Sequence, residues 1–126
     1  MLSLVMSIYD PLGFLTTLTI KAKMLLQQVW RSEIGWDDEI PHTIFETWKI
    51  WLEYVQKIPN FRLPRCYSWT YTSAEEVQLH LFVDASEEAF GAVGYFRIKK
   101  GSDVVIALIM GKAKVAPLKS LMATKE

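Results

Sequence analysis

The chain has 126 residues, 51% of them hydrophobic, and its fourteen Lys and Arg residues are balanced by fourteen Asp and Glu residues. That apolar content excludes wholesale disorder. A net charge of zero excludes a global attraction to nucleic acid or anionic membranes, so any such site must be a local patch. The length suits one ordinary domain or pieces of two. The single cysteine, Cys66, excludes an internal disulfide, predicts no disulfide-linked partner and fits a reducing compartment.

Met1 to Met6 is apolar, but no basic segment precedes it and Asp10 soon interrupts, so it does not read as a signal peptide. Leu12, Leu15, Leu18, Ala22, Leu25 and Val29 then recur at threes and fours, which predicts an amphipathic helix from Pro11 to about Trp30. Asp10 is placed to cap its free N–H groups, and Pro11 occupies a position where its missing donor costs nothing. Glycine and acidic residues in "RSEIGWDDEIP" break the pattern. Pro41 opens a second predicted helix to about Lys57, with Ile44, Trp48, Trp51 or Leu52, and Val55 on one side. Asp37, Asp38 and Glu39 precede it, where a helix dipole favours anions. The prolines of "KIPNFRLPR" end this helical half.

The period then changes to two. Val77, Leu79, Leu81 and Val83 alternate with Gln78, His80, Phe82 and Asp84, a strand signature. Two further strands, "FGAVGYFRIKK" and "DVVIALIMGKAK", are joined by a hairpin loop in "KKGSD". Gly91, Ala92 and Gly94 predict a close backbone approach or a bulge. A helix is expected to begin in "APLKSLMATKE". The expected fold class is α+β: two antiparallel helices followed by a three-stranded antiparallel meander. The expected organisation is a helical segment at 1–60, a linker at 61–76 and an incomplete strand-rich segment at 77–126. The longest apolar run, Val104 to Met110, falls well short of the roughly 20 residues needed to cross a bilayer. An intracellular, cytoplasmic chain with no membrane partner is expected.

Chemistry concentrates at Asp84. A strand-terminal aspartate is most often a structural turn residue. Here, however, the apolar strand before it, the small residues after it and the glycine-bearing strand that follows resemble the opening of a ribonuclease H fold. In that fold an aspartate on the first strand bridges two divalent ions, which stabilise the attacking and leaving oxygens of a phosphodiester. "DAS" also invites comparison with the aspartic-protease signature Asp-Thr/Ser-Gly, whose two aspartates share one proton. Alanine and serine occupy its second and third positions, and a second copy of the motif would have to come from a dimer. His42 and His80 lack a partner at metal spacing and read as capping or surface histidines. Cys66 reads as a buried or neutral thiol. Trp48 and Trp51 belong to a helix stripe and read as core rather than base-stacking residues. Lys112, Lys114 and Lys119 form a modest basic cluster that reads as a solvated strand end.

Taken in order, "SIYDPLGFLTTLTIKAKMLLQQVW", "GWDDEIP", "LPR", "LHLFVDASEEAFGAVGYFR" and "KAKVAPLK" resemble one segment of the Pol polyprotein of BEL/Pao-type retrotransposons, a region also called the Pao retrotransposon peptidase. The resemblance covers nearly the whole chain. It implies that the helical half follows the reverse-transcriptase palm, in the thumb or connection position, and that the strand half begins a ribonuclease H-like domain. Asp84 then matches the first metal-binding aspartate. The family's second carboxylate lies on the helix after the third strand, in a segment usually written like "TIPRLEL". This chain has "MATKE" there, without the proline, and Glu126 stands for that glutamate. "KAKVAPLK" departs from the usual "KSRVAPLK" at Ala113 and Lys114.

The polymerase motif Tyr/Phe-x-Asp-Asp and the later ribonuclease H carboxylates do not occur in the sequence. The parent enzyme is expected to use Mg2+ or Mn2+ and to handle an RNA–DNA hybrid or retroelement RNA together with the remainder of Pol. This chain is expected to bind no ion tightly and to be inactive alone. Two other readings stand beside that one: an aspartic-type retroelement peptidase that processes Pol, and a non-catalytic interaction module.

Overall fold

The computed structural model describes residues 1–117. Three helices come first: α1 (Leu2–Ser7), α2 (Thr16–Arg31) and α3 (His42–Val55). They are followed by β1 (Glu76–Ala85), β2 (Ala89–Lys100) and β3 (Asp103–Val115). The strands form one antiparallel sheet in the order β1-β2-β3, so β2 is central and the α+β class holds. None of the helices described is long and apolar enough to cross a membrane. The helix expected in "APLKSLMATKE" falls almost entirely outside the described residues, as do Lys119 and Glu126.

The helical stripe folds as its spacing requires. Ala22 and Leu25 of α2 are buried with Ile44, Trp48 and Trp51 of α3, and Val5 of α1 joins them. Trp48 and Trp51 stack with ring centroids 4.7 Å apart. The Trp51 indole Nε1–H donates to Leu18 O at 2.8 Å, so the polar end of a buried ring is satisfied within the core.

α2 starts five residues later than its apolar spacing predicts. Gly13 adopts φ +71°, a left-handed conformation that interrupts a right-handed helix. Asp10 still caps, but it caps the turn before the helix: its Oδ1 accepts from Phe14 N at 2.9 Å and its Oδ2 from Leu15 N at 2.7 Å. The Asp37–Glu39 run likewise serves its own loop, where Asp38 Oδ2 accepts from Gly35 N at 2.6 Å. α1 had no periodic signal, because Leu2, Leu4, Val5 and Met6 are apolar all round.

In the sheet, β2 and β3 are joined across Gly101 and Ser102, and Gly101 takes the positive φ of +60° that a tight hairpin needs. The irregularity foreseen in the glycine-rich strand is a bulge at Gly94/Tyr95. Helical cover reaches only part of the sheet. Gly111 N donates to Leu12 O at 2.9 Å, and Gln27 Nε2 donates to Ala116 O at 2.5 Å, which ties the end of β3 to α2. On the other face, Tyr67 and Tyr71 of the 61–75 connection pack on Phe96, near the buried Ile98. β1 is left uncovered.

Candidate functional site at the end of the first strand

Alternation places Asp84 on a definite face. Directly paired residues of an antiparallel sheet share a face, and residues two apart along a strand share it too. Asp84 pairs with Gly91, which pairs with Ala113; one rung up, Phe82 pairs with Val93, which pairs with Gly111. This is the face that meets α2, since a Cβ on Gly111 would stand 3.0 Å from Gly13 O and 3.4 Å from Thr16 Oγ1. The residue paired with Asp84, Gly91, has no side chain on this face. A hollow of about 470 Å³ results, bounded by Phe14, Thr16 and Ile20 from the helical side and by Phe82, Asp84 and Tyr95 from the sheet.

The carboxylate is exposed, and its Oδ1 accepts from the next backbone N–H, that of Ala85, at 2.9 Å. The following turn is held by Ser86, whose hydroxyl donates to Ala89 O at 3.0 Å and accepts from Ala89 N at 3.2 Å. That turn fixes the strand end from which Asp84 projects. Lys112 and Lys114 alternate with Ala113 and point to the opposite face, although they share with Asp84 a second hollow of about 640 Å³ at the sheet's end. Lys114 is therefore not a neighbour of Asp84 on one face.

The remaining sequence candidates are dispersed. His42 faces Glu46 one helical turn on, at 3.5 Å, and His80 meets Gln78 at 3.1 Å, so both are surface residues. Cys66 is exposed, not buried as its residue type suggested, because the connection carrying it runs over the surface. Among the described residues no group of three or more His, Cys, Asp or Glu side chains is gathered to hold a metal ion. A divalent-ion pair needs several oxygen ligands, and the described residues do not fit it. Glu126, the other candidate, lies outside them. Sequence reasoning missed the contribution of Phe14 and Thr16, which line the hollow beside Asp84.

A family model described as a Pao retrotransposon-like RNaseH-like domain matches residues 1–124. No curated protein and no solved structure matches the chain. The match spans the helical half as well as the sheet. The chain belongs to the Pao retrotransposon-like RNaseH-like domain family.

Proposed function

We propose that the chain is a segment of a BEL/Pao-type Pol polyprotein whose sheet supplies one carboxylate, Asp84, to a ribonuclease H-like site that this segment does not complete. The observation that carries this reading is the placement of Asp84: exposed, next to last on the first strand, with small residues level with it on the other two strands, Gly91 and Ala113. In the parent protein, Mg2+ or Mn2+ would be held by Asp84 and by carboxylates from elsewhere in Pol, and would supply charge stabilisation during cleavage of the RNA strand of an RNA–DNA hybrid. The residues of this chain would orient the first carboxylate and present the sheet beside it. Alone, the segment is inactive.

Purified chain mixed with an RNA–DNA hybrid and Mg2+ or Mn2+ tests the proposal. No turnover above background is expected; robust turnover that Asp84→Asn abolishes would overturn it. The peptidase reading has weaker support. It requires a second aspartate close enough to share a proton, and "DAS" carries alanine and serine where that signature has threonine or serine and then glycine.

A further inference from the structure

A net charge of zero leaves room only for a local charged patch, and the fold builds one where its two halves meet. Lys112 and Lys114 stand two positions apart on β3, so they share a face, roughly 7 Å from each other. With Met110 they face away from Asp84. On α2, Thr16, Thr19 and Lys23 follow one another at helical spacing along one side. The hydrogen bond from Gly111 N to Leu12 O seats the start of α2 at the β3 edge. A hollow of about 420 Å³ lies between them, and Thr19, Lys23, Met110, Lys112 and Lys114 line it together with Ile8. Lys112 and Lys114 are therefore not merely a solvated strand end: the helical half brings a third lysine to them.

The charge in this hollow is uncompensated. Three ammonium groups line it against one carboxylate, Asp10. Both oxygens of Asp10 are already engaged, Oδ1 by Phe14 N and Oδ2 by Leu15 N. Among the described residues none of the three lysines is in an ion pair, and all three are exposed. Like charges held round one concave space focus a positive field into it and repel one another until an anion enters. Lysine offers a compact point charge, without the planar fork by which arginine grips a carboxylate or a guanine edge. Such a site suits the phosphates of a nucleic-acid chain and not its base sequence.

We propose that this hollow binds the sugar–phosphate backbone of a single nucleic-acid strand, with phosphates on Lys23, Lys112 and Lys114 and the sugar against Ile8 and Met110. Its volume admits a group of nucleotide size. A crevice between a helix and a strand edge receives one backbone, not the breadth of a duplex. Because Lys112 and Lys114 leave the sheet on the side away from Asp84, the site is separate from that carboxylate and needs no divalent ion. The inference goes beyond the nuclease reading and stands if that reading fails.

Fluorescence anisotropy of a short labelled single strand of mixed sequence, titrated with the purified chain in EDTA, tests it. The absence of metal keeps the result independent of Asp84. A dissociation constant in the micromolar range is expected at low salt, rising steeply as salt is added. Lys23→Gln and Lys112→Gln should each weaken binding by roughly three- to tenfold and make the salt slope shallower by about 0.7. Lys21→Gln removes the same charge from the same helix, but Lys21 lines a different hollow, with Leu18 and Tyr54. It should leave both quantities unchanged. Circular dichroism should show the same secondary structure in all three variants.

No saturable binding at low salt would overturn the proposal. So would equal losses for Lys21→Gln and Lys23→Gln, which would mean diffuse attraction and no site. A mononucleotide bound as tightly as the strand would overturn it in favour of a free nucleotide. An RNA–DNA hybrid whose affinity falls further with Lys23→Gln than the strand's does would overturn the single-strand assignment.

Discussion

Gly13 and Gly111 meet backbone to backbone. Gly111 N donates to Leu12 O at 2.9 Å, and a Cβ built on Gly13 would overlap the Gly111 carbonyl oxygen. Gly13 also holds a left-handed φ of +71°. This contact seats the start of α2 against the sheet face that carries Asp84. It explains why "DPLG" and "MGKAK", far apart in sequence, are found together in space.

The first prediction isolates that approach. Gly13→Ala meets two penalties, the left-handed backbone at roughly 1–2 kcal/mol and the overlap with Gly111. Gly101 has a similar φ of +60° but nothing within 4 Å of its added Cβ, so Gly101→Ala meets only the first. In urea unfolding, Gly13→Ala should lose about 2 kcal/mol or more beyond Gly101→Ala, comparable to other overpacked positions. Equal losses would contradict the close approach.

Asp10 holds two backbone N–H groups, those of Phe14 and Leu15. Asp10→Ala should cost about 1–2 kcal/mol, the upper range for a lost cap. Asp10→Asn, which keeps one acceptor oxygen, should recover part of it. Thermal unfolding of the two variants separates them.

The Trp51 indole is nearly fully buried and bonded to Leu18 O. Trp51→Phe removes that bond and part of the stack on Trp48, and should cost about 1–3 kcal/mol. Trp51→Ala leaves a cavity between α2 and α3 and should cost about 3–5 kcal/mol. Denaturant midpoints of the two variants check both magnitudes.

Much of this architecture was legible in the residues. Leu18, Ala22 and Leu25 repeat at threes and fours because one helix face is buried. Val77 to Asp84 alternates because successive side chains leave opposite faces of a strand. The late start of α2 was not legible, since Gly13 and Pro11 suit both a helix entry and a turn, and only the approach of Gly111 decides between them. α1 was not legible either: its four apolar residues, Leu2, Leu4, Val5 and Met6, spread round a short helix and carry no period. Burial misled at β1, where alternation promised one covered face and the structure leaves Leu79, Leu81 and Val83 in the open. The strand-end position of Asp84 was legible, whereas Phe14 and Thr16, which line the same hollow, come from the other half of the chain and have no local signal.

Asp84 touches only its own neighbour's N–H. Asp84→Asn should therefore leave stability within about 0.5 kcal/mol, as for surface substitutions generally. A loss well beyond that, measured by urea unfolding, would make the carboxylate a structural residue and not a ligand held ready for an ion.

The central claim is that, among the described residues, Asp84 stands without the companion ligands a divalent ion requires. Titration of Mn2+ into the purified chain, followed by electron paramagnetic resonance and calorimetry, tests it most directly. The account predicts weak binding, in the millimolar range, with no difference between the natural sequence and Asp84→Asn. Micromolar binding of Mn2+ that disappears in Asp84→Asn would contradict it.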